Sequence, residues 1–241
     1  MKPDLTIILP VYNEEKRVRK GIGKCSDFIE ASNLKIEIIL VNDGSTDKTK
    51  QDIKKLIKGK KNIKLISYPE NRGKGYAIKR GVGKAKGNLI LFTDIDLSTP
   101  LTEINKFLSF IDSGADIVIG TRKVKGAKIK KHQKPIREWL GRGFTFLSNL
   151  ILQVKVSDFT CGFKLFKKKA AKKIFKKTKI KRWGFDAEAL FLAEKMNFSI
   201  VEVPVIWEND EDTKVDLKKD ILGSFADLLK IRWYDIKGEY Q

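Results

Sequence analysis

Two acidic signatures in this chain, each at the end of an apolar run, have the residue types to do chemistry. Ile38-Ile39-Leu40-Val41 runs into Asn42-Asp43-Gly44-Ser45-Thr46-Asp47, and Leu89-Ile90-Leu91-Phe92-Thr93 runs into Asp94-Ile95-Asp96. A buried strand that ends in carboxylates delivers them into the crevice where open α/β sheets bind ligands. Asp94 and Asp96, one residue apart, can both turn toward one divalent cation, Mg2+ or Mn2+, and a cation there can neutralise a diphosphate. That chemistry suits an enzyme acting on a nucleotide-activated donor. The alternative for both aspartates is a solvated strand end.

Other residues add to this pattern. Gly73-Lys74-Gly75 is too short for a Walker phosphate loop, but its glycines allow close backbone approach and Lys74 can meet a phosphate as a point charge; the other reading is a simple turn. Asp43 is either a ligand contact or a turn-former before Gly44, and Asp47 suits a cap on the next helix. Glu14 can complement a helix N-terminus. Arg122 and Arg137 flank a basic stretch, and the planar guanidinium fork sets them apart from the many lysines as phosphate binders. Ordinary surface charge is their alternative.

These residues need a scaffold. Residues 5–9 read as a buried strand stopped by Pro10, followed by a helix over 14–29 with Val18, Ile22, Phe28 and Ile29 toward the core. Residues 36–41, 63–67, 89–93 and 116–120 read as further strands, with helices over 47–57 and 75–85. Thr99 has the form of an N-cap, with Pro100 at the first position of a helix to 111. Alternating strands and helices predict a three-layer, doubly wound α/β domain around a mostly parallel sheet. Beyond residue 121 the pattern changes. Residues 122–134 are basic and read as a mobile loop, and 137–154 as a helix with Trp139, Phe144, Phe146 and Leu150. That helix suits packing on the sheet or contact with lipid headgroups. A short strand at 161–166, helices at 167–175 and 186–195, and a strand at 200–207 follow, with Pro204 marking an edge or bulge. A charged loop at 209–214 leads to an amphipathic helix over 215–233, its apolar side expected in the core.

At 241 residues and 41% hydrophobic, the chain suits one domain, or one domain with an appendage. Fifty Lys and Arg against 30 Asp and Glu give a net charge of +20. Such a field suits nucleic acid, an anionic membrane or phosphorylated lipid, or a lysine-rich solvated surface. Lysines spread along the whole chain favour the solvated surface first and the lipid surface next. Cys25 and Cys161 lack metal-ligand spacing and suggest reduced thiols in a cytoplasmic protein. With His132 as the only histidine, the sequence argues against a His-based metal centre or triad. The first strand begins almost at once, so no signal peptide is expected, and no run approaches the ~18 apolar residues of a membrane span. Membrane contact is therefore expected to be peripheral.

Four motifs occur in order: Pro10-Val11-Tyr12-Asn13-Glu14-Glu15, Val41-Asn42-Asp43-Gly44-Ser45-Thr46-Asp47, Asn71-Arg72-Gly73-Lys74-Gly75 and Thr93-Asp94-Ile95-Asp96. Together they resemble the inverting family 2 glycosyltransferases of GT-A fold. Asp158-Phe159-Thr160-Cys161-Gly162-Phe163-Lys164, Trp183-Gly184-Phe185-Asp186-Ala187-Glu188 and Glu202-Val203-Pro204-Val205 resemble the dolichyl-phosphate glucose and mannose synthase branch, whose acceptor is a polyprenyl phosphate. The resemblance spans residues 5–233.

The resemblance implies transfer of a hexose from a nucleoside diphosphate sugar to polyprenyl or dolichyl phosphate with inversion. UDP-glucose is the favoured donor, since the C-terminal motifs lie closer to the glucosyl branch; GDP-mannose is the alternative. Residues 1–120 would form the nucleotide-sugar half and 121–241 the acceptor half of one GT-A domain. The resemblance places Pro10, Tyr12 and Glu14 around base and ribose, Asp43 on the base, and Arg122 and Arg137 near the acceptor phosphate. It places Lys214 over the donor diphosphate, although Thr213 stands where the branch often carries Ser and Asp210-Glu211-Asp212 precede it. Asp158 would order the acceptor region; Asp186 and Glu188 admit structural and catalytic roles alike. A phosphate monoester has its second pKa near ~6, so such an acceptor needs no strong base. The contrasting readings are a basic nucleic-acid-binding protein and an inactive scaffold. Both run against the intact Asp94 and Asp96, and no nucleic-acid partner is expected.

Overall fold

The computed structural model describes residues 2–210 and 219–241. Its first strands, β1 (Leu5–Val11) and β2 (Ile36–Asp43), are apolar and buried almost throughout, as strands covered on both faces must be. With β3 (Ile63–Tyr68), β4 (Leu89–Phe92), β5 (Ile117–Thr121), β7 (Lys164–Lys167) and β8 (Ile200–Pro204) they form a seven-stranded sheet of order β3-β2-β1-β4-β7-β5-β8. All its neighbours pair in parallel except β7, which runs antiparallel to both β4 and β5. The strand order reverses beside β1, and such a reversal opens a crevice at the carboxyl ends of β1 and β4.

Successive residues of β1 face opposite layers. Ile7 and Leu9 pack with α1 (Val18–Ala31), α2 (Thr49–Leu56) and α4 (Ile104–Asp112) through Val18, Ile22, Ile53 and Phe107. Ile8 faces the other layer, where Ile78 of α3 (Lys74–Lys84), Ile174 of α6 (Lys168–Lys177) and Leu190 of α7 (Phe185–Lys195) are fully buried. In that layer Phe92 meets the rings of Phe166, Phe175 and Phe185 at 5.6, 6.0 and 5.9 Å. Further out, α5 (Pro135–Leu152) and α8 (Lys219–Ile236) pack on each other, with Phe144 and Phe225 5.7 Å apart.

Several elements depart from the sequence expectation. Pro10 does not stop β1, which continues to Val11. The Ile8 carbonyl accepts from Thr93 on the β4 side, and Pro10 shares its parity, so the missing N–H falls where β4 has already ended. Thr99 caps no helix: Pro100 is extended, and a 3₁₀ turn at Leu101–Glu103 precedes α4. That turn brings the buried Glu103 carboxylate to the Ile206 N–H at 3.1 Å. The stretch 122–134 is not simply a loop, because β6 (Lys128–Lys131) pairs in parallel with β9 (Ile206–Glu208). The strand expected at 200–207 is divided after Pro204 between β8, at the sheet edge, and β9. The strand expected at 161–166 is β7, shifted to 164–167. Helix α8 buries Leu228 and Ile231 but exposes Leu222, Leu229, Trp233 and Ile236, so only one side of it lies in the core. Lys214 lies outside the described residues.

Candidate active site

The chain turns sharply where β4 ends. Leu97 N donates to the Asp94 carbonyl at 3.1 Å and Ser98 N to Asp96 Oδ1 at 2.9 Å. Leu97 holds the left-handed φ of 51°, unusual for a branched side chain and a mark of imposed local geometry. Both carboxylates of this turn line a cavity of about 940 Å³ that also takes in Pro10, Glu14, Lys74, Arg122 and Arg137. Residues from five separate segments of the sequence thus reach one space.

The acidic pair is held by cations. Lys74, the first residue of α3, places Nζ 2.6 Å from Asp94 Oδ1. Burial alone would lower its pKa, but Asp94, Asp186 and Asp96 outweigh that and raise it. The Asp96 carboxyl is raised by burial and by the neighbouring Asp94 charge. Arg17 makes a bidentate pair with Glu14 at 2.6 and 2.7 Å and lies 3.9 Å from Asp96 and 3.6 Å from Asp210. Space for Asp94 is made by Gly162, since a β-carbon there would collide with Asp94 Oδ2. Among the described residues no cluster of three or more acidic, His or Cys side chains is suited to hold a metal. Two carboxylates do fit Mg2+ or Mn2+, hard ions that take one or two protein carboxylates and complete their shell with substrate phosphate and water.

Asp43 is buried and binds its own loop: it accepts from Asn71 Nδ2 at 3.0 Å, Arg72 N at 2.8 Å and Gly73 N at 2.8 Å. Gly73 needs its positive φ of 99° to present that N–H, and a β-carbon on it would meet the Lys181 carbonyl at 2.5 Å. Asp43 thereby fixes the start of α3 and with it Lys74. Neither Asp43 nor the more exposed Tyr12 lines the cavity. Asp47 accepts from Thr49 N at 2.9 Å at the start of α2.

The basic wall is built on the other half of the chain. Asp158, fully buried, accepts Arg122 Nε at 2.8 Å and Nη2 at 2.9 Å. Burial opposes its ionisation, but the Arg122 charge and hydrogen bonds, with Lys123, hold its carboxyl well below the usual range. Trp207 flanks the Arg122 guanidinium at 5.2 Å, and Thr160 Oγ1 accepts from Nη2 at 2.8 Å. Among the described residues Nη1 of Arg122 has no acceptor. Arg137, on α5, has no carboxylate partner among them either, and burial and the Arg122 charge lower its pKa. Asp158 more than offsets burial and raises the Arg122 pKa, whereas the Arg137 guanidinium lacks such a partner among the described residues; a guanidinium left in that state has the chemistry to take an anion.

Sequence reasoning missed Arg17, Lys123, Lys164 and Trp207. The Glu14–Arg17 spacing of three was a readable helix-start signal; the others act through tertiary contacts that no local pattern reports. Glu188, left open between roles, is fully buried, accepts from Lys179 N, Ile180 N and Tyr240 Oη, and does not line the cavity.

A doubly wound sheet with an acidic turn after β4, facing a cavity, defines the GT-A class of nucleotide-diphosphosugar transferases. The sequence profile of glycosyl transferase family 2 matches residues 6–175. The chain belongs to that family and is a glycosyltransferase. It is 33% identical over 237 residues to a dolichyl-phosphate beta-glucosyltransferase of Trichomonas vaginalis, covering 94% of this chain and 72% of that one. The human dolichyl-phosphate beta-glucosyltransferase is 30% identical over 250 residues, covering 98% and 77%. Among solved structures, glucosyl-3-phosphoglycerate synthase of Mycobacterium tuberculosis with Mg2+ and UDP superposes with a TM-score of 0.70 at 18% identity, covering 95% of this chain and 79% of that one. That likeness supports the fold.

Proposed function

We propose that this protein transfers glucose from UDP-glucose to a polyprenyl phosphate of the dolichyl type, inverting the anomeric centre. The observation that carries this is one cavity with a carboxylate pair, Asp94 and Asp96, and a guanidinium pair, Arg122 and Arg137. The first suits the donor diphosphate, the second the acceptor phosphate. The names of the relatives point to the same donor sugar and acceptor.

Arg122 Nη1 and Arg137 would hold the acceptor phosphate with one oxygen toward the anomeric carbon. That oxygen forms the new bond to the carbon as the bond to the nucleoside diphosphate breaks on the opposite face. At neutral pH the acceptor phosphate is largely a dianion, so no side chain need remove a proton. Lys74 lies at the diphosphate end and meets developing negative charge there. A divalent cation held by Asp94 and Asp96 would supply further charge neutralisation on the departing diphosphate. Pro10, Tyr12, Glu14 and Asp43 are assigned to base and ribose, Asp43 at least through the loop it ties. Lys214 is assigned to the diphosphate.

Purified protein with polyprenyl phosphate and Mn2+, offered UDP-glucose and GDP-mannose separately, tests the reading. Glucosyl lipid of inverted configuration is expected; transfer from GDP-mannose alone, or none from either donor, refutes it. Arg137→Lys separates the two ends of the cavity. Lys cannot reproduce the planar fork, so KM for polyprenyl phosphate is expected to rise about tenfold, while calorimetric UDP binding with Mn2+ stays unchanged. Loss of UDP binding would move Arg137 out of the acceptor site.

The acceptor lipid requires a membrane surface, and we place the protein on its cytoplasmic side. No described helix is long and apolar enough to cross a membrane. Instead, α5 exposes Ile136, Trp139, Phe146 and Leu150 on one stripe, and α8 exposes Leu222, Leu229, Trp233 and Ile236 at the same helical spacing. Stripes like these, on a chain of net charge +20, suit an anionic interface, where each basic residue adds on the order of 1 kcal/mol. Cosedimentation with anionic vesicles is expected to fall steeply with salt, and Trp139→Glu to weaken it. Equal binding to neutral vesicles at high salt would show a hydrophobic anchor instead.

A further inference from the structure

We propose that Glu202 is a positioning residue for the acceptor phosphate: through Ser157 it fixes the Asp158 carboxylate and, through that, the Arg122 fork. The assignment rests on the acceptor reading above. Glu202 itself does not line the cavity, whereas Ser157 and Arg122 do. The place of Glu202 follows from strand alternation. Val201 and Val203 of β8 pack in the layer of α1 and α4, so Glu202 points into the opposite layer. The chain that follows α5 crosses there, with Val154 and Val156 buried. A carboxylate among apolar side chains needs hydrogen-bond donors. Ser157 supplies both of its own: its N lies 2.9 and 3.0 Å from the two carboxylate oxygens, and its Oγ 2.6 Å from Oε1.

These contacts give the surrounding network a direction. A serine hydroxyl has one proton, and Ser157 gives it to Glu202. Toward Thr121 Oγ1, 2.7 Å away, the serine oxygen therefore accepts. Thr121 Oγ1, fully buried, accepts in turn from Lys123 N at 3.2 Å. The run from Lys123 N–H through Thr121 and Ser157 ends on the Glu202 anion, which sets its polarity. Arg122 lies between Thr121 and Lys123, and its own N–H donates to Asp158 Oδ2 at 3.2 Å. Residues 121–123 and 157–158 are thereby laced together on both sides of the Arg122–Asp158 pair.

The lacing bears on the acceptor end in particular. Arg122 uses Nε and Nη2 on Asp158, so the edge left for phosphate is aimed only as well as Asp158 is held. A planar fork tolerates little misplacement. Lys74, at the donor end, is set instead by the loop that Asp43 ties. The residue before Ser157 has a separate tie: Asn149 of α5 donates to the Val156 carbonyl at 2.9 Å and accepts from Val156 N at 3.2 Å. Loss of Glu202 therefore leaves the segment docked on α5 and frees only the residue next to Asp158.

Calorimetry with a short-chain isoprenyl phosphate reads the acceptor end, and calorimetry with UDP plus Mn2+ reads the donor end. Glu202→Ala is expected to raise the Kd for the isoprenyl phosphate about tenfold and to leave that for UDP within about twofold. Glu202→Gln keeps an oxygen for both Ser157 donors and is expected to recover most of the loss. On an Arg122→Lys background, which lacks the fork, Glu202→Ala is expected to add less than about twofold, because it acts through Arg122. Should Glu202→Ala fail to fold, Ser157→Ala carries the same test, with a loss of about threefold that again vanishes on the Arg122→Lys background. Equal weakening of both ligands, a full loss on the Arg122→Lys background, or no change at all overturns the proposal. Wild-type protein that binds the isoprenyl phosphate but transfers no glucose refutes the glucosyl-transfer reading and leaves this assignment standing. Wild-type protein that binds no isoprenyl phosphate refutes the acceptor site and Glu202's role with it.

Discussion

Asp96→Asn is expected to fold at least as stably as the wild type and to lose transfer by about 10²–10⁴-fold. The two effects have one cause. Burial and the Asp94 charge raise the Asp96 carboxyl, so the folded protein holds the ionised form at a cost. The sign follows from linkage: a carboxyl raised in the folded state costs stability above that raised value, and the cost vanishes below the unfolded pKa of ~3.9. Asparagine is a neutral mimic and removes the cost at neutral pH, together with one anionic cation ligand. Asp94→Asn differs, because it leaves the half-buried Lys74 without its 2.6 Å partner, and a modestly lower Tm is expected. Thermal melts, transfer assays and Mn2+-dependent UDP binding check both variants. Full transfer by the folded double variant, or in excess EDTA, would refute the assignment of a cation to this pair.

The second large effect lies across the cavity. Asp158→Ala should cost about 3–5 kcal/mol, because it strands the Arg122 guanidinium beside an empty buried space; at this chain length that lowers Tm by roughly 6–20 °C. Since the folded carboxyl of Asp158 is depressed, its contribution is present above the unfolded pKa of ~3.9 and is lost as pH falls through the lower folded value. The double variant Asp158→Leu/Arg122→Met separates structure from function. A buried ion pair replaced by apolar residues of similar volume is often neutral in stability, so Tm should largely recover. Transfer should not, because Arg122 Nη1 is the group assigned to the acceptor phosphate. Recovery of both would leave Arg122 with a structural role alone.

The alternation of strands and helices up to residue 121 was legible because each strand is a nearly unbroken apolar run, and runs like β1 and β2 admit little else. The acidic turn was legible because it sits at a strand end. What was not legible is non-local. The short β6 is three lysines and an isoleucine, and only pairing with β9 makes it a strand. The buried pair Lys164–Asp186 joins residues 22 apart, and a lysine in a strand reads as exposed when its partners are unknown. Helix α8 read as a core helix because its apolar positions outnumber those one buried side needs; its second stripe emerges only once its packing on α5 is known.

The reversed direction of β7 has a consequence for synthesis. Strands β4 and β5 are not neighbours, and the slot between them is filled by residues 164–167. As the chain leaves the ribosome, everything through residue 121 emerges with one edge of β4 unpaired and with β5 lacking both of its partners, β7 and β8, and unpaired strands invite wrong partners. Because β7 enters antiparallel, the loop ahead of it arrives at the carboxyl ends of β4 and β5, carrying Asp158 to Arg122 and Gly162 to Asp94. Closing the sheet and assembling the reaction centre are therefore one event. A nascent or truncated chain lacking β7 has neither a complete sheet nor the Asp158–Arg122 pair on which the proposed acceptor site rests.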